Sequence, residues 1–222
     1  MKDIAMTVID HPATPMKPSA KFWDRHAKGY AKRPVANQAA YEEKLRVTRA
    51  YFDPTMEVLE FGCGTGSTAL AHAPFVKHIL ATDISAKMLE IAEEKARSGA
   101  IENVTFQRVE FDDITAPADG FDAILGMSIL HLLDERNPAI AKVYEMLKPG
   151  GIFVSSTACL GDTMKWFKII APVGRFFGLI PLVRIFTEQA LIDSITGAGF
   201  RIEHQWRPEE SVGVFILAKK PG

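Results

Sequence analysis

The sequence predicts an α/β protein of the doubly wound, Rossmann-like kind. It would have a mostly parallel sheet of about seven strands, an antiparallel last strand, and helices on both faces. Three observations carry this. From residue 57 onward, short apolar segments rich in β-formers alternate with amphipathic helical segments. The segment Val58-Leu59-Glu60-Phe61 runs into Gly62-Cys63-Gly64-Thr65-Gly66-Ser67, with a glycine at every second position. A second apolar segment, His78-Ile79-Leu80-Ala81-Thr82, ends in Asp83 about 20 residues further on, the spacing of a nucleoside-binding corner in an open sheet.

The elements follow in order. Residues 1–18 hold three prolines and no apolar period, and read as a mobile arm. Residues 19–52 read as helix with a break near Lys32-Arg33-Pro34, Ser19 serving as N-cap and Asp53-Pro54 as the stop. Strands are expected at Glu57–Phe61, Ile79–Asp83, Val104–Glu110, Phe121–Met127 and Ile152–Ala158, with a final pair at Phe200–Trp206 and Ser211–Lys219. Phe121–Met127 is a continuous apolar run, as a strand covered on both faces should be. Helices are expected from Ser67 to Ala73, from a Ser85 cap to Arg97 (Met88, Leu89, Ala92 and Ala96 on one face), from Asn137-Pro138 to Lys148, and from Glu188 to Ala198. Residues 19–222 thus form one domain, in which 19–52 is an N-terminal helical segment and 161–187 an insertion before the last helix.

Composition excludes several classes. The 222 residues carry a net charge of −1, so no broad electrostatic pull toward nucleic acid exists. Two cysteines, Cys63 and Cys159, make no disulfide framework and read as small buried hydrophobes. No stretch reaches the ~18 apolar residues of a membrane span, and the first residues lack a secretory apolar core. The expectation is a cytoplasmic protein, monomeric or homodimeric. His11, His26, His72, His78 and His204 have no ligand-like partners nearby in sequence, so no metal site is expected.

Two ligand classes compete for the glycine turn: a dinucleotide or S-adenosylmethionine. The spacing Gly62-x-Gly64-x-Gly66 departs from the dinucleotide fingerprint, whose third glycine would fall at Ser67. Glu60, just before the turn, would lie unhelpfully near a pyrophosphate but suits the ammonium of an amino-acid ligand.

The segment Glu60–Gly66 resembles the first motif of class I S-adenosylmethionine-dependent methyltransferases. Ala81-Thr82-Asp83-Ile84-Ser85-x-x-Met88-Leu89-x-x-Ala92 resembles their second strand and following helix, and Leu147-Lys148-Pro149-Gly150-Gly151 their approach to strand five. The resemblance covers roughly residues 20–220 and is closest to the small-molecule branch that includes quinone, sterol and phospholipid methyltransferases. It implies that the turn from Gly62 through Cys63, Gly64 and Thr65 to Gly66 cradles the amino-acid part of S-adenosylmethionine. Glu60 would reach the ammonium, and Asp83 would accept from both ribose hydroxyls. Ile84 and Met88 would line the adenine, and Glu110 and Phe111 would meet its edge, with Asp112 and Asp113 as alternatives two residues away. Phe22-Trp23-Asp24-x-x-Ala27-x-x-Tyr30 resembles a lid, placing Tyr30 at the methionine end, with Arg33 as a partner for the carboxylate. Met127 and Ser128 would lie beside the donor.

His131 stands where the family often carries a histidine, and a neutral imidazole there could take a proton from the acceptor. The same position can instead be a histidine that bonds the backbone. The insertion would roof the substrate pocket with Trp166, Phe167 and Phe176, favouring a small hydrophobic acceptor. Its interspersed cations also allow a membrane-surface contact, and a plain cap is the third reading. The activity implied is methyl transfer from S-adenosylmethionine, leaving S-adenosylhomocysteine. The alternatives are a nicotinamide-dependent oxidoreductase and a non-catalytic S-adenosylmethionine-binding regulatory module.

Overall fold

The computed structural model describes residues 18–163, 180–209 and 211–222. The arm expected at 1–18, save Pro18, lies outside the described residues, as do Trp166, Phe167 and Phe176 of the insertion.

The strands are β1 (Glu57–Phe61), β2 (His78–Asp83), β3 (Val104–Arg108), β4 (Phe121–Met127), β5 (Leu147–Ala158), β6 (Arg201–Trp206) and β7 (Gly213–Lys219). They form one sheet of order β3-β2-β1-β4-β5-β7-β6. β1 to β5 are mutually parallel, and β7 runs antiparallel to both of its neighbours. The strand order reverses between β1 and β4, so a crevice opens at their carboxyl ends.

The helices are α1 (Pro18–Ala31), α2 (Gln38–Arg49), α3 (Ser67–His72), α4 (Ala86–Ser98), α5 (Arg136–Met146) and α6 (Glu188–Gly197). Ser19 lies inside α1 and is not its cap. The helix starts one residue earlier at Pro18, where a missing N–H costs nothing. Asn37 instead caps α2, its side chain accepting from the Ala40 N–H at 2.9 Å. The Ser85 cap stands as expected, accepting from the Met88 N–H at 3.2 Å. β3 ends at Arg108 rather than Glu110, because a 3-10 turn at Phe111–Asp113 bends the chain across the strand end. β5 starts at Leu147, five residues before the expected Ile152, because Leu147 pairs with Phe121 of β4 ahead of a register shift.

Side chains alternate across the sheet into two cores. Val58, Leu125, Val154 and Phe215 join Leu89, Ala92 and Ala96 of α4 on one face. Leu59, Ile124, Phe153 and Ile216 join Ile140 and Val143 of α5 and Leu191 and Ile195 of α6 on the other. Both faces are buried, which is why these strands are apolar at every position rather than at alternate ones. Among the described residues no helix is long and apolar enough to cross a membrane.

Gly66 sits where α3 begins, in the left-handed region at φ +72°, and a Cβ there would lie 2.8 Å from the Ala92 Cβ. Gly150 is also left-handed at φ +79° but has nothing within 4 Å. Gly66→Ala is therefore expected to lose at least roughly 2 kcal/mol in urea unfolding, backbone strain plus overlap. Gly150→Ala should lose only the strain, about 1–2 kcal/mol.

Candidate functional site

The turn after β1 is built from backbone. Gly62, Gly64 and Gly66 all have positive φ, at 66°, 54° and 72°. At Gly62 a Cβ would meet Ile129 Cγ1 at 2.6 Å, so only glycine lets the β4 side of the crevice close against the turn. The Cys63 N–H donates to the Thr82 carbonyl at 2.9 Å, tying the turn to β2. From beneath, the Lys95 ammonium donates to the Thr65 carbonyl, the Thr65 hydroxyl and the Ser67 hydroxyl at 3.0, 2.9 and 3.0 Å. The turn is thus held open and rigid without a side chain pointing into it from Gly62, Gly64 or Gly66.

Asp83, at the end of β2, fixes three elements. Its Oδ2 accepts from the Gly64 N–H at 2.9 Å and its Oδ1 from the Ser85 N–H at 2.8 Å. The Ser85 hydroxyl in turn donates to Asp24 Oδ1 of α1 at 2.6 Å, and the Lys87 N–H donates to the same oxygen at 3.1 Å. These bonds dock α1 over the start of α4 and carry Tyr30 to the turn, with its Cε1 4.0 Å from the Cβ position of Gly64. Trp23 packs edge-on against Tyr30 at 6.2 Å. Burial pushes the Tyr30 hydroxyl above its ordinary pKa, and the charges of Asp83 and Glu60 add to this.

Glu60, next to last in β1, borders the crevice and is 2% exposed. Burial pushes its carboxyl up to about 8, opposed by a backbone hydrogen bond from Ala69 and assisted by Asp83. Its Oε2 is buried without a hydrogen-bond partner. A native interior rarely leaves such an atom unpaired unless a ligand completes it. Burial also raises Asp83 above the ordinary carboxylate range, against the pull of three backbone N–H groups, Ser85, Gly64 and Ile84.

These groups line one cavity of about 950 Å³ over the carboxyl ends of the strands. Tyr30, Glu60, Gly62, Cys63, Gly64, Thr65, Asp83, Ile84, Met88, Glu110, Phe111, Met127 and Ser128 all border it, as does Arg33. Gly66 does not; it acts one residue behind the wall, where α3 starts. Asp112 borders the cavity and Asp113 does not, because the 3-10 turn directs the Asp113 N–H back to the Glu110 carbonyl at 3.0 Å. The turn is held by the Lys142 ammonium, which donates to the Phe111 carbonyl at 3.1 Å.

His131 does not border the cavity. It lies in a 3-10 turn at Leu130–Leu132 that carries Ile129 and Leu132 to the wall instead. Burial lowers its pKa to about 4, and its Nδ1 is buried without a partner. Sequence reasoning also missed wall residues. Tyr41 and Lys44 of α2 reach the cavity, and the Lys44 ammonium donates to the Ser156 hydroxyl of β5 at 2.9 Å. Ser128 holds a left-handed φ of 59°, and its N–H donates to the Ser156 carbonyl at 2.7 Å. No short-range pattern joins Lys44 to Ser156; α2's polar face alone marks Lys44 as a candidate.

A family model described as a methyltransferase domain matches residues 58–151, the stretch from β1 through the start of β5. An uncharacterized methyltransferase of Bacillus subtilis, YcgJ, is 34% identical over 97 residues, covering 44% of this chain and 38% of its own. A demethylmenaquinone methyltransferase of Leptospira interrogans is 31% identical over 147 residues, covering 60% of this chain and 54% of its own. The chain thus spans about half or less of the length of these two relatives. The crystal structure of an S-adenosylmethionine-dependent methyltransferase from Mesorhizobium loti superposes with a TM-score of 0.65 at 21% identity, covering 82% of this chain and 99% of that one, which is a likeness of fold. Residues 58–151 thus match a methyltransferase domain, and the strand order and the superposition give the chain the fold of the solved S-adenosylmethionine-dependent methyltransferases.

Proposed function

We propose that the chain transfers a methyl group from S-adenosylmethionine to a small, apolar acceptor. The observation that carries this is the unpaired, buried Oε2 of Glu60 beside a turn of three left-handed glycines. That pairing fits an amino-acid ligand, whose ammonium would complete the carboxylate while its carboxylate meets the turn and Arg33. A pyrophosphate placed against Glu60 brings no cation to pair with the carboxyl once it ionises, which disfavours a dinucleotide. When bound, S-adenosylmethionine supplies a methyl group activated by the positive charge on its sulfur.

The residues of the chain have the remaining tasks. Asp83 keeps lone pairs free beyond those bonded to Gly64 and Ser85, and these suit ribose hydroxyls. Ile84, Met88 and Phe111 offer apolar walls for a base, and Glu110 a polar edge. Tyr30 and Trp23, docked through Asp24, cover the opening and exclude water. Met127, Ile129, Leu132 and Leu133 give the far wall its apolar character. The demethylmenaquinone methyltransferase among the relatives favours an apolar acceptor as well. Alignment of two reactants in such a site can supply up to roughly 7–11 kcal/mol, so a sparse set of acid–base groups suffices. His131 has no part in proton transfer in this reading, since it stands outside the wall and its imidazole is a weak base. Its carbonyl accepts from the Arg184 N–H at 2.7 Å, which fastens the 3-10 turn.

S-adenosylhomocysteine at a hundred times its Kd is expected to add about 2.7 kcal/mol of stability in a thermal-shift assay, while NAD adds none. Asp83→Ala should remove most of that gain. Stabilisation by NAD alone would reverse the reading. A regulatory module would instead show tight S-adenosylhomocysteine binding and no methylation across a broad acceptor panel.

The Glu60 carboxyl also imposes a pH dependence. Its pKa in the folded chain, about 8, stands above the ordinary value, so the free protein holds an extra proton between pH 4.5 and 8 and loses that stabilisation as pH rises through this window. An incoming ammonium favours the ionised carboxyl and must expel that proton at pH 6. Affinity for S-adenosylhomocysteine is therefore expected to rise between pH 6 and 8, by at most about tenfold per unit, with close to one proton released at pH 6. Calorimetry in buffers of differing ionisation heat checks this, and Glu60→Gln should bind more weakly with a flat profile.

A further inference from the structure

Lys44 is the wall residue that the donor site leaves unexplained. It sits half-buried on α2, and burial holds its ammonium below the ordinary lysine pKa. Its Nζ bonds to Ser156 Oγ at 2.9 Å, and among the described residues no carboxylate pairs with it. The acidic neighbours on its own helix are spent elsewhere: Glu42 accepts from Gln38 and Glu43 pairs with Arg46. An ammonium has three donors, and Ser156 takes one. By contrast, Lys77 and Lys87 stand out in solvent with carboxylate partners. Removing an ammonium from water without a counter-charge is costly, so a cation kept this way on a cavity wall is poised for an anion.

The sheet order says which end of the cavity that anion occupies. Glu60, Asp83 and Glu110 lie at the ends of β1, at the end of β2 and just after β3. Ser156 lies near the end of β5, two strands beyond β1 on the other side. At about 4.8 Å per strand, Ser156 is displaced roughly 10 Å along the sheet from Glu60, and further from Asp83. The other cations on the wall, Arg33 and Lys95, belong to the opposite end: the charge of Arg33 acts on Tyr30, which also feels Asp83 and Glu60, and the three donors of Lys95 are spent on Thr65 and Ser67 of the glycine turn. Ser128, with its left-handed backbone, donates its N–H to the Ser156 carbonyl and holds this end in register.

Resting on the methyltransferase reading, we propose that Lys44 and Ser156 form the seat for the acceptor's own negative charge, so that the acceptor is an apolar small molecule bearing an anionic oxygen, a carboxylate or an ionised phenol. Lys44 is then a specificity-determining residue. It anchors the polar end of the acceptor while Met127, Ile129 and Leu133 cover the apolar body.

The test titrates 2-naphthoate and its uncharged counterpart 2-naphthalenemethanol into the free protein and into the protein saturated with S-adenosylhomocysteine. The expected result is naphthoate binding at least about tenfold tighter than the alcohol, as a charge-assisted hydrogen bond gives. Lys44→Met should erase that preference while leaving the Kd of S-adenosylhomocysteine within about twofold, the size of an indirect change. Lys44→Arg should keep the preference, which separates lost charge from lost fold, and Ser156→Ala should reduce it. Equal binding of the two probes, absence of naphthoate binding at millimolar concentration, or a preference that survives Lys44→Met would each overturn the proposal. So would a loss of S-adenosylhomocysteine affinity in Lys44→Met, which would assign the lysine to the donor. Failure of the wild-type protein to bind S-adenosylhomocysteine counts against the methyltransferase reading instead, and the free-protein titration still decides the anion preference.

Discussion

The Asp83 carboxylate is the tie on which the site depends. One oxygen takes the Gly64 N–H and fixes the glycine turn; the other takes the Ser85 N–H and fixes the start of α4. Through the Ser85 hydroxyl the same tie reaches Asp24 and so places α1 with Trp23 and Tyr30. The turn, α4 and α1 are therefore positioned through one side chain at a strand end. A carboxylate used this way is already partly neutralised by backbone dipoles, which lets it stay in a crevice it would otherwise be costly to occupy.

Glu60 is the counterpart whose Oε2 no described residue completes. Its neighbour Asp83 is satisfied three times over by backbone N–H groups, whereas Glu60 keeps one oxygen bare in the interior. The two acids differ because β1 delivers Glu60 beneath the turn, while β2 delivers Asp83 level with it. The contrast separates them: Asp83 ties elements of the protein together, and Glu60 keeps an oxygen that, in the proposed function, a ligand's ammonium completes. Lys44, at the β5 end, is a cation with no carboxylate partner among the described residues. The cavity thus carries an acid without a hydrogen-bond partner for Oε2 at one end and an ammonium without a carboxylate partner among the described residues at the other.

Much of this was legible in the chain because it is local. The glycine spacing, Asp83 at the end of an apolar run and the Ser85 cap each lie within a few residues of what they determine. The apolar strands were legible too, since burial on both faces leaves no alternation to misread. The position after β3 was not, because Glu110, Asp112 and Asp113 are chemically alike, and only the 3-10 turn decides that Asp113 stays off the cavity wall. The place of His131 was not legible either. A short 3-10 turn after β4 rotates it out of the wall and brings Ile129 and Leu132 in. The Lys44–Ser156 contact spans 112 residues and depends on how α2 crosses the end of β5, which no local pattern encodes.

The most direct measurement is the ionisation of Glu60 itself, followed by carbon-13 NMR of its side-chain carboxyl with and without S-adenosylhomocysteine. The account requires titration near pH 8 in the free protein, and a carboxyl that stays ionised down to well below pH 7 once the ligand is bound. A carboxyl that titrates in the ordinary range when free, or whose titration the ligand leaves unmoved, would contradict it.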